Sequence, residues 1–220
     1  MKLAGMREGP ASAEADDAAP RPAWPANDAI LPADAIETMA GAAGRGLADE
    51  AELQAWLARL AVLDDLTGAY SRRYLFAQAP IELQRALRYG RPLSVMFIDI
   101  DRFKQINDGF GHAHGDQVLA AFGELCRRTL RPSDLFARLG GDEFVVLLPE
   151  TALDQAVIAG RRLAERLRQP DEAALPGLTL SIGVSALRPT GDTLETILKR
   201  VDQLLYRAKN SGRDRIEFEA

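Results

Sequence analysis

The chain has 220 residues, 47% hydrophobic and 27% charged, which suits one globular domain plus an extension. A net charge of −5 excludes the broad basic footprint of a duplex nucleic-acid binder, and one cysteine with two histidines excludes a disulfide framework or a Cys/His zinc cluster. No apolar run approaches the roughly 18–20 residues that span a bilayer, and the N-terminus lacks the apolar segment of a signal peptide, so a soluble, cytoplasmic protein is expected, with neither nucleic acid nor membrane as partner.

Residues 1–29 are rich in Ala, Pro, Asp and Glu and carry almost no large apolar side chains, so they are predicted to be disordered. Residues 30–64 read as a helical stalk. A fragment around 32–43 places Ile36 and Met39 on one face, and a better helix covers Asp49–Leu63, where Leu53, Trp56, Leu60 and Leu63 recur at three- and four-residue steps. That stripe has two readings, a short dimerising stalk or a helix packed back onto the domain, and two heptads alone make a weak coiled coil.

Asp64-Asp65-Leu66-Thr67-Gly68 turns the chain, and helical spacing resumes over Ser71–Arg88 through Leu75, Leu83 and Leu87. Pro92–Ile100 reads as a central strand, because Val95–Ile98 is apolar on both faces. Asp99 and Asp101 close it, and the two-residue period points them to the same side of the sheet. Acids at a strand's carboxyl end are candidates for hard divalent cations, which prefer oxygen ligands; the plain alternative is a solvated strand end. Lys104–Phe110 follows as a helical turn ended by Gly109 and Gly111. His114-Gly115-Asp116 opens an amphipathic helix with Val118, Leu119, Phe122, Leu125 and Cys126 inward, and the simple reading of Asp116 is an N-cap.

Leu135–Arg138 and Phe144–Leu148 are short apolar runs joined by Leu139–Glu143, which reads as a β-hairpin with two glycines and two acids at its tip. At least one carboxylate of Asp142 and Glu143 projects off the sheet edge, and Gly140 and Gly141 let a bulky ligand approach the backbone. A solvated turn is the alternative, since turns favour these residues. A helix over Leu153–Arg168, a strand over Leu178–Ala186 and a strong helix over Thr193–Asn210 follow, with Gly212 as C′ candidate and Arg215–Glu219 as a last edge strand. This order predicts an α+β fold, a mostly antiparallel central sheet flanked by helices.

The residues from about 65 to 220 resemble the GGDEF family of diguanylate cyclases. The resemblance rests on Gly140-Gly141-Asp142-Glu143-Phe144, on Asp65-Leu66-Thr67-Gly68 and on Phe97 to Asp108, FIDIDRFKQIND. It continues in Gly111-His112, Gly115-Asp116, Ser181-Ile182-Gly183-Val184-Ser185 and Tyr206 to Arg213, YRAKNSGR. The fold it implies is the palm of class III nucleotide cyclases. The reaction it implies joins two GTP molecules into cyclic di-GMP and releases two pyrophosphates at a homodimer interface, each subunit holding one GTP.

The resemblance also assigns roles. Asp99, the Ile100 carbonyl and Asp142 are the implied ligands of Mg²⁺ or Mn²⁺, two ions per half-site, within a catalytic hairpin formed by Gly140, Gly141, Asp142 and Glu143. Glu143 takes a secondary role in metal binding or hydroxyl activation, and Asp101 is expected to orient Lys or Arg groups. Asn107 and Asp116 are the implied guanine readers. Lys104, the backbone amides around Arg102 and Phe103, and Lys209 with Arg213 form the implied triphosphate cradle. Lys209 and Arg213 are four apart at a helix end and are expected on one face; cations also favour helix C-termini for their own sake.

Arg131-Pro132-Ser133-Asp134 matches the family's RxxD inhibitory motif, whose alternative reading is a surface ion pair. Arg131 and Asp134 would bind the product cyclic di-GMP together with an arginine of the following helix, assigned to Arg166 with Arg161 or Arg162 as substitutes. Ala69-Tyr70-Ser71-Arg72-Arg73 departs from the usual Leu-x-Asn-Arg-Arg and touches no proposed catalytic position. No EAL-type phosphodiesterase domain is expected after the last strand. The competing functions are a catalytically silent cyclic di-GMP receptor and a cyclase of altered nucleotide choice, and a regulatory protein acting on the N-terminal helix is a further expected partner.

Overall fold

The computed structural model describes residues 62–169, 177–188 and 190–219. In chain order these form β1 (Tyr70–Ser71), α1 (Arg72–Tyr89), β2 (Leu93–Ile100), α2 (Phe103–Phe110), α3 (His112–Thr129), β3 (Leu135–Gly140), β4 (Glu143–Pro149), α4 (Leu153–Leu167), β5 (Leu180–Ala186), α5 (Leu194–Asn210) and β6 (Arg215–Glu219). The sheet order is β1-β3-β4-β2-β5-β6. The long central ladders, β3–β4, β4–β2 and β2–β5, are antiparallel, and the edge pairs β1–β3 and β5–β6 are parallel. The fold is α+β, as expected.

All eight residues of β2 are buried, because the strand lies between β4 and β5 with helices over both faces. Met96, Ile98 and Ile100 face a core shared with Phe122 of α3 and Leu163 of α4. Val95 and Phe97 face the other core, with Leu75 and Leu83 of α1 and Val201 and Leu205 of α5. The two-residue period therefore puts Asp99 on the α5 side, where it ends an apolar row. Helix α5 comes close because Gly183 has no side chain: a Cβ there would fall 2.2 Å from the Val201 carbonyl oxygen.

Several expectations shift. Helix α3 starts at His112 with Gly111 as its N-cap, so Asp116 lies inside the helix and is not a cap. Leu63, expected as the last residue of the stalk helix, is not helical: it pairs with Tyr70 in an isolated antiparallel bridge, and the Ser71 N–H donates to the Val62 carbonyl at 2.8 Å. The rest of that stalk and the tail of residues 1–29 lie outside the described residues. Strand β1 was not expected, since two residues carry no periodicity.

Candidate active site

Register builds the site. Asp99 is paired with Glu143 on β4 and with Ser181 on β5, and the Ile100 N–H points to the Asp142 carbonyl at 3.4 Å. The hairpin tip turns through Gly141 at φ +54°, a left-handed conformation that glycine adopts without steric cost. Asp99 is 5% exposed, and its Oδ2 accepts a hydrogen bond from Lys209 Nζ at 2.6 Å. Burial pushes the Asp99 carboxyl up to about 6 against the pull of the Lys209 ammonium, and the charges of Asp142 and Glu143 add to the rise. Three carboxylates thus share one field at the end of β2.

The oxygen donors expected there are two carboxylates, Asp99 and Asp142, and the Ile100 carbonyl, with Glu143 alongside. Among the described residues no three His, Cys, Asp or Glu side chains converge as a ready metal cage. The donor set still fits Mg²⁺ or Mn²⁺, since Mg²⁺ usually takes one or two carboxylates and completes its shell with waters and substrate phosphates.

Asp101 takes a different part from the one expected. It is buried, and its oxygens accept from the Thr179 hydroxyl at 2.6 Å, the Ser181 hydroxyl at 2.7 Å and the Asp214 N–H at 3.0 Å. It orients no Lys or Arg side chain; it ties the ends of β2 and β5 to the chain leaving α5. A second anchor was missed altogether. Arg138 donates through Nε and Nη2 to the Gly141 carbonyl at 3.0 and 2.8 Å, and through Nη1 to both Asp64 oxygens at 3.1 and 3.2 Å. It couples the hairpin tip to the turn where the chain joins the domain. Burial alone would raise the Asp64 carboxyl, but bonds from Thr67 and Arg138 outweigh it and hold the group below the usual carboxylate range. The available signal was a lone charge within an otherwise apolar strand.

Of the residues expected to bind nucleotide, Arg102, Phe103, Lys104, Asn107 and Asp116 lie at the start of α2 and along α2 and α3. Arg102 begins α2 at φ +60° with no side-chain cap, so the first amides of α2, at Phe103 and Lys104, have no capping side chain. A Cβ at Gly115 would fall 1.9 Å from Asn107 Oδ1 and 3.2 Å from the Phe103 ring, so glycine there lets Asn107 lie against α3 beside the exposed Asp116. Lys104 is exposed. Arg213 does not share a helix face with Lys209: α5 ends at Asn210, Gly212 follows at φ +112°, and Arg213 itself is at φ +64°. The Arg213 N–H bonds to the Ala208 carbonyl at 3.0 Å, and Arg213 lines a groove with Arg102, Gln105 and Phe110.

At the other end of β3, the Arg131 N–H donates to Asp134 Oδ2 at 2.8 Å and the Asp134 N–H returns to the Arg131 carbonyl at 3.0 Å. Asp134 Oδ1 is buried without a hydrogen-bond partner. Burial raises the Asp134 carboxyl, partly offset by Arg131 and by Arg162. Arg162 is therefore the α4 arginine whose charge reaches Asp134, and its Nη2 is held by the Thr129 carbonyl at 3.0 Å. Arg166, one turn further along, is exposed like Arg162, and it is Arg162 whose charge is felt at Asp134. Arg131 and Asp134 line a groove of about 840 Å³ with Tyr74, Arg85 and Arg91, within the usual size range of small-molecule sites.

The family profile described as "Diguanylate cyclase, GGDEF domain" matches residues 61–215. The chain is 46% identical over 166 residues to the response regulator PleD of Caulobacter vibrioides, covering 71% of this chain and 36% of that protein. It is 44% identical over 165 residues to the diguanylate cyclase DgcP of Pseudomonas aeruginosa, covering 71% of this chain and 24% of that protein. The chain therefore spans only about a quarter to a third of the length of these two relatives. Among solved structures, the GGDEF domain of DgcB from Caulobacter crescentus in complex with c-di-GMP superposes with a TM-score of 0.66 at 27% identity, covering 72% of this chain and 95% of that one. Sequence, sheet order and hairpin agree: the chain belongs to the GGDEF family.

Proposed function

We propose that the protein is a diguanylate cyclase, condensing two GTP into cyclic di-GMP and two pyrophosphates across a homodimer in which each subunit holds one GTP. The observation that carries this reading is the convergence at the end of β2. Asp99 is buried beside Asp142 and Glu143, with Lys209 on its carboxylate, next to the uncapped start of α2. Asp99, the Ile100 carbonyl and Asp142 would hold Mg²⁺ or Mn²⁺, two ions per half-site, with Glu143 assisting. Bound there, the ions would lower the pKa of the attacking 3′-hydroxyl and neutralise charge on the phosphate. Lys104, Lys209, Arg213 and the amides at Arg102 and Phe103 orient the triphosphate, and positioning of this kind supplies much of the rate in phosphoryl chemistry. Asn107 and Asp116 read the guanine edge, and polar groups left unpaired by adenine discriminate strongly.

Arg131, Asp134 and Arg162 form the proposed product-inhibition site. The unpartnered Asp134 Oδ1 supports it, because a guanine N–H edge supplies the donor that the protein does not. Among the described residues no helix is long and apolar enough to cross a membrane, and a GTP substrate would put the reaction in the cytoplasm.

Purified protein incubated with GTP and Mg²⁺ tests the proposal. Cyclic di-GMP and pyrophosphate are expected, with none formed from ATP. Binding of cyclic di-GMP without turnover would favour the silent-receptor reading, and turnover of another nucleotide would favour altered base choice.

A further inference from the structure

Two cations compete for the Asp99 carboxylate. On the reading above it is a metal ligand, yet its Oδ2 holds the Lys209 ammonium at 2.6 Å, with the Asp99 side chain 8% exposed and that of Lys209 30% exposed. Buried charge requires a partner, and here the protein supplies its own.

Packing directs Lys209 to this point. Helix α5 is seated on β5 at Gly183, where a Cβ would fall 2.2 Å from the Val201 oxygen and 2.6 Å from the Leu205 nitrogen. One turn beyond Leu205, Lys209 reaches over the β2 face that carries Val95, Phe97 and Asp99. The chain after α5 is tied down separately, by the Asp214 N–H on Asp101 Oδ2 at 3.0 Å. Lys209 is therefore free to leave Asp99 by rotating its own flexible stem, while the helix end stays in place. A divalent cation bonded to Asp99 would sit against that ammonium with like charge, and a triphosphate offers the ammonium another anion.

We propose that Lys209 is the resident counter-cation of Asp99, so that a divalent metal alone binds weakly and a nucleoside triphosphate admits it by drawing the ammonium onto its phosphates. The proposal rests on the metal-ligand reading of Asp99. By linkage, metal tightens nucleotide binding by the same factor that nucleotide tightens metal binding.

Mn²⁺ binding to the full chain, read from the electron paramagnetic resonance signal of free Mn²⁺, tests it without turnover. In the absence of nucleotide, Lys209→Met is expected to bind Mn²⁺ up to about fivefold more tightly than the wild type, on the scale of a partly exposed ion pair. Lys209→Arg, which keeps the charge, is expected to bind as weakly as the wild type. Adding 3′-deoxy-GTP, which lacks the attacking hydroxyl, is expected to tighten Mn²⁺ binding more in the wild type than in Lys209→Met. A merely structural lysine would not loosen its site toward metal, so unchanged or weaker Mn²⁺ binding by folded Lys209→Met overturns the proposal. Lys209→Gln serves the same comparison if the methionine variant does not fold. Asp99→Asn separates the two readings: if Mn²⁺ binding survives it undiminished, the metal-ligand reading falls as well, and if binding is lost while Lys209→Met shows no tightening, only the displacement falls.

Discussion

The strand β3 has a carboxylate site at each end, and the two are partnered in opposite ways. At the hairpin tip, Asp99 is buried among acids and already holds an internal ammonium. At the other end, Asp134 bonds Arg131 through one oxygen and leaves the second buried without a partner. An unsatisfied buried acceptor costs about 1–3 kcal/mol, so a ligand that donates to Asp134 relieves a cost, whereas a ligand at Asp99 must exchange one cation for another. The first arrangement suits a site that responds to its ligand alone, and the second suits a site that admits its components together.

The largest expected effect breaks the catalytic end. Asp142→Ala is expected to lower cyclic di-GMP formation by roughly a thousandfold or more while the melting transition is kept, and normal turnover would remove Asp142 from the metal site. Arg138→Ala comes next, because it frees the hairpin tip from the Asp64 turn. Turnover is expected to fall about ten- to a hundredfold, with a stability loss of about 1–3 kcal/mol in urea titration, and Arg138→Lys is expected not to restore it, since a single ammonium cannot hold both Gly141 and Asp64.

The other end is tested by inhibition. Arg131→Ala is expected to raise the cyclic di-GMP concentration for half-inhibition by about tenfold or more. Arg162→Ala is expected to do the same and Arg166→Ala to do so far less, and the reverse order would return the second arginine to Arg166. The smallest effect is one of pH. Asp64 is held below its ordinary value of 3.8 in the folded chain, so its contribution to stability is present above that value and is lost as pH falls through the folded pKa. Asp64→Asn is expected to flatten the acid side of the stability profile measured by thermal melts, and an unchanged slope would detach Asp64 from the Arg138 anchor.

Local pattern was enough to read every described element but β1. The apolar run of β2, the Gly-Gly tip between two short strands and the three- and four-residue steps of α5 are periodicities within single segments, and the structure has all three. Where periodicity was carried past its element it misled. Helical spacing put Arg213 on the Lys209 face, but Gly212 ends the helix path between them. The strand period put Asp101 on the Asp99 side of the sheet, and its bond to Ser181, which stands opposite Asp99, agrees; its partners Thr179, Ser181 and the Asp214 amide were beyond the reach of the period.

By itself, the sequence determined every described strand and helix except β1, the α+β class and the family, because hydrophobic period, turn residues and contiguous motifs are local properties of the chain. Tertiary structure alone decided the partners of the charged groups. Lys209 and Asp99 lie 110 positions apart, Arg138 and Asp64 lie 74 apart, and Asp134 came to rest with one oxygen unpaired. No periodicity encodes such pairs. They follow from strand order, from the close seat of α5 at Gly183 and from which side of the sheet each acid faces once its strand is buried.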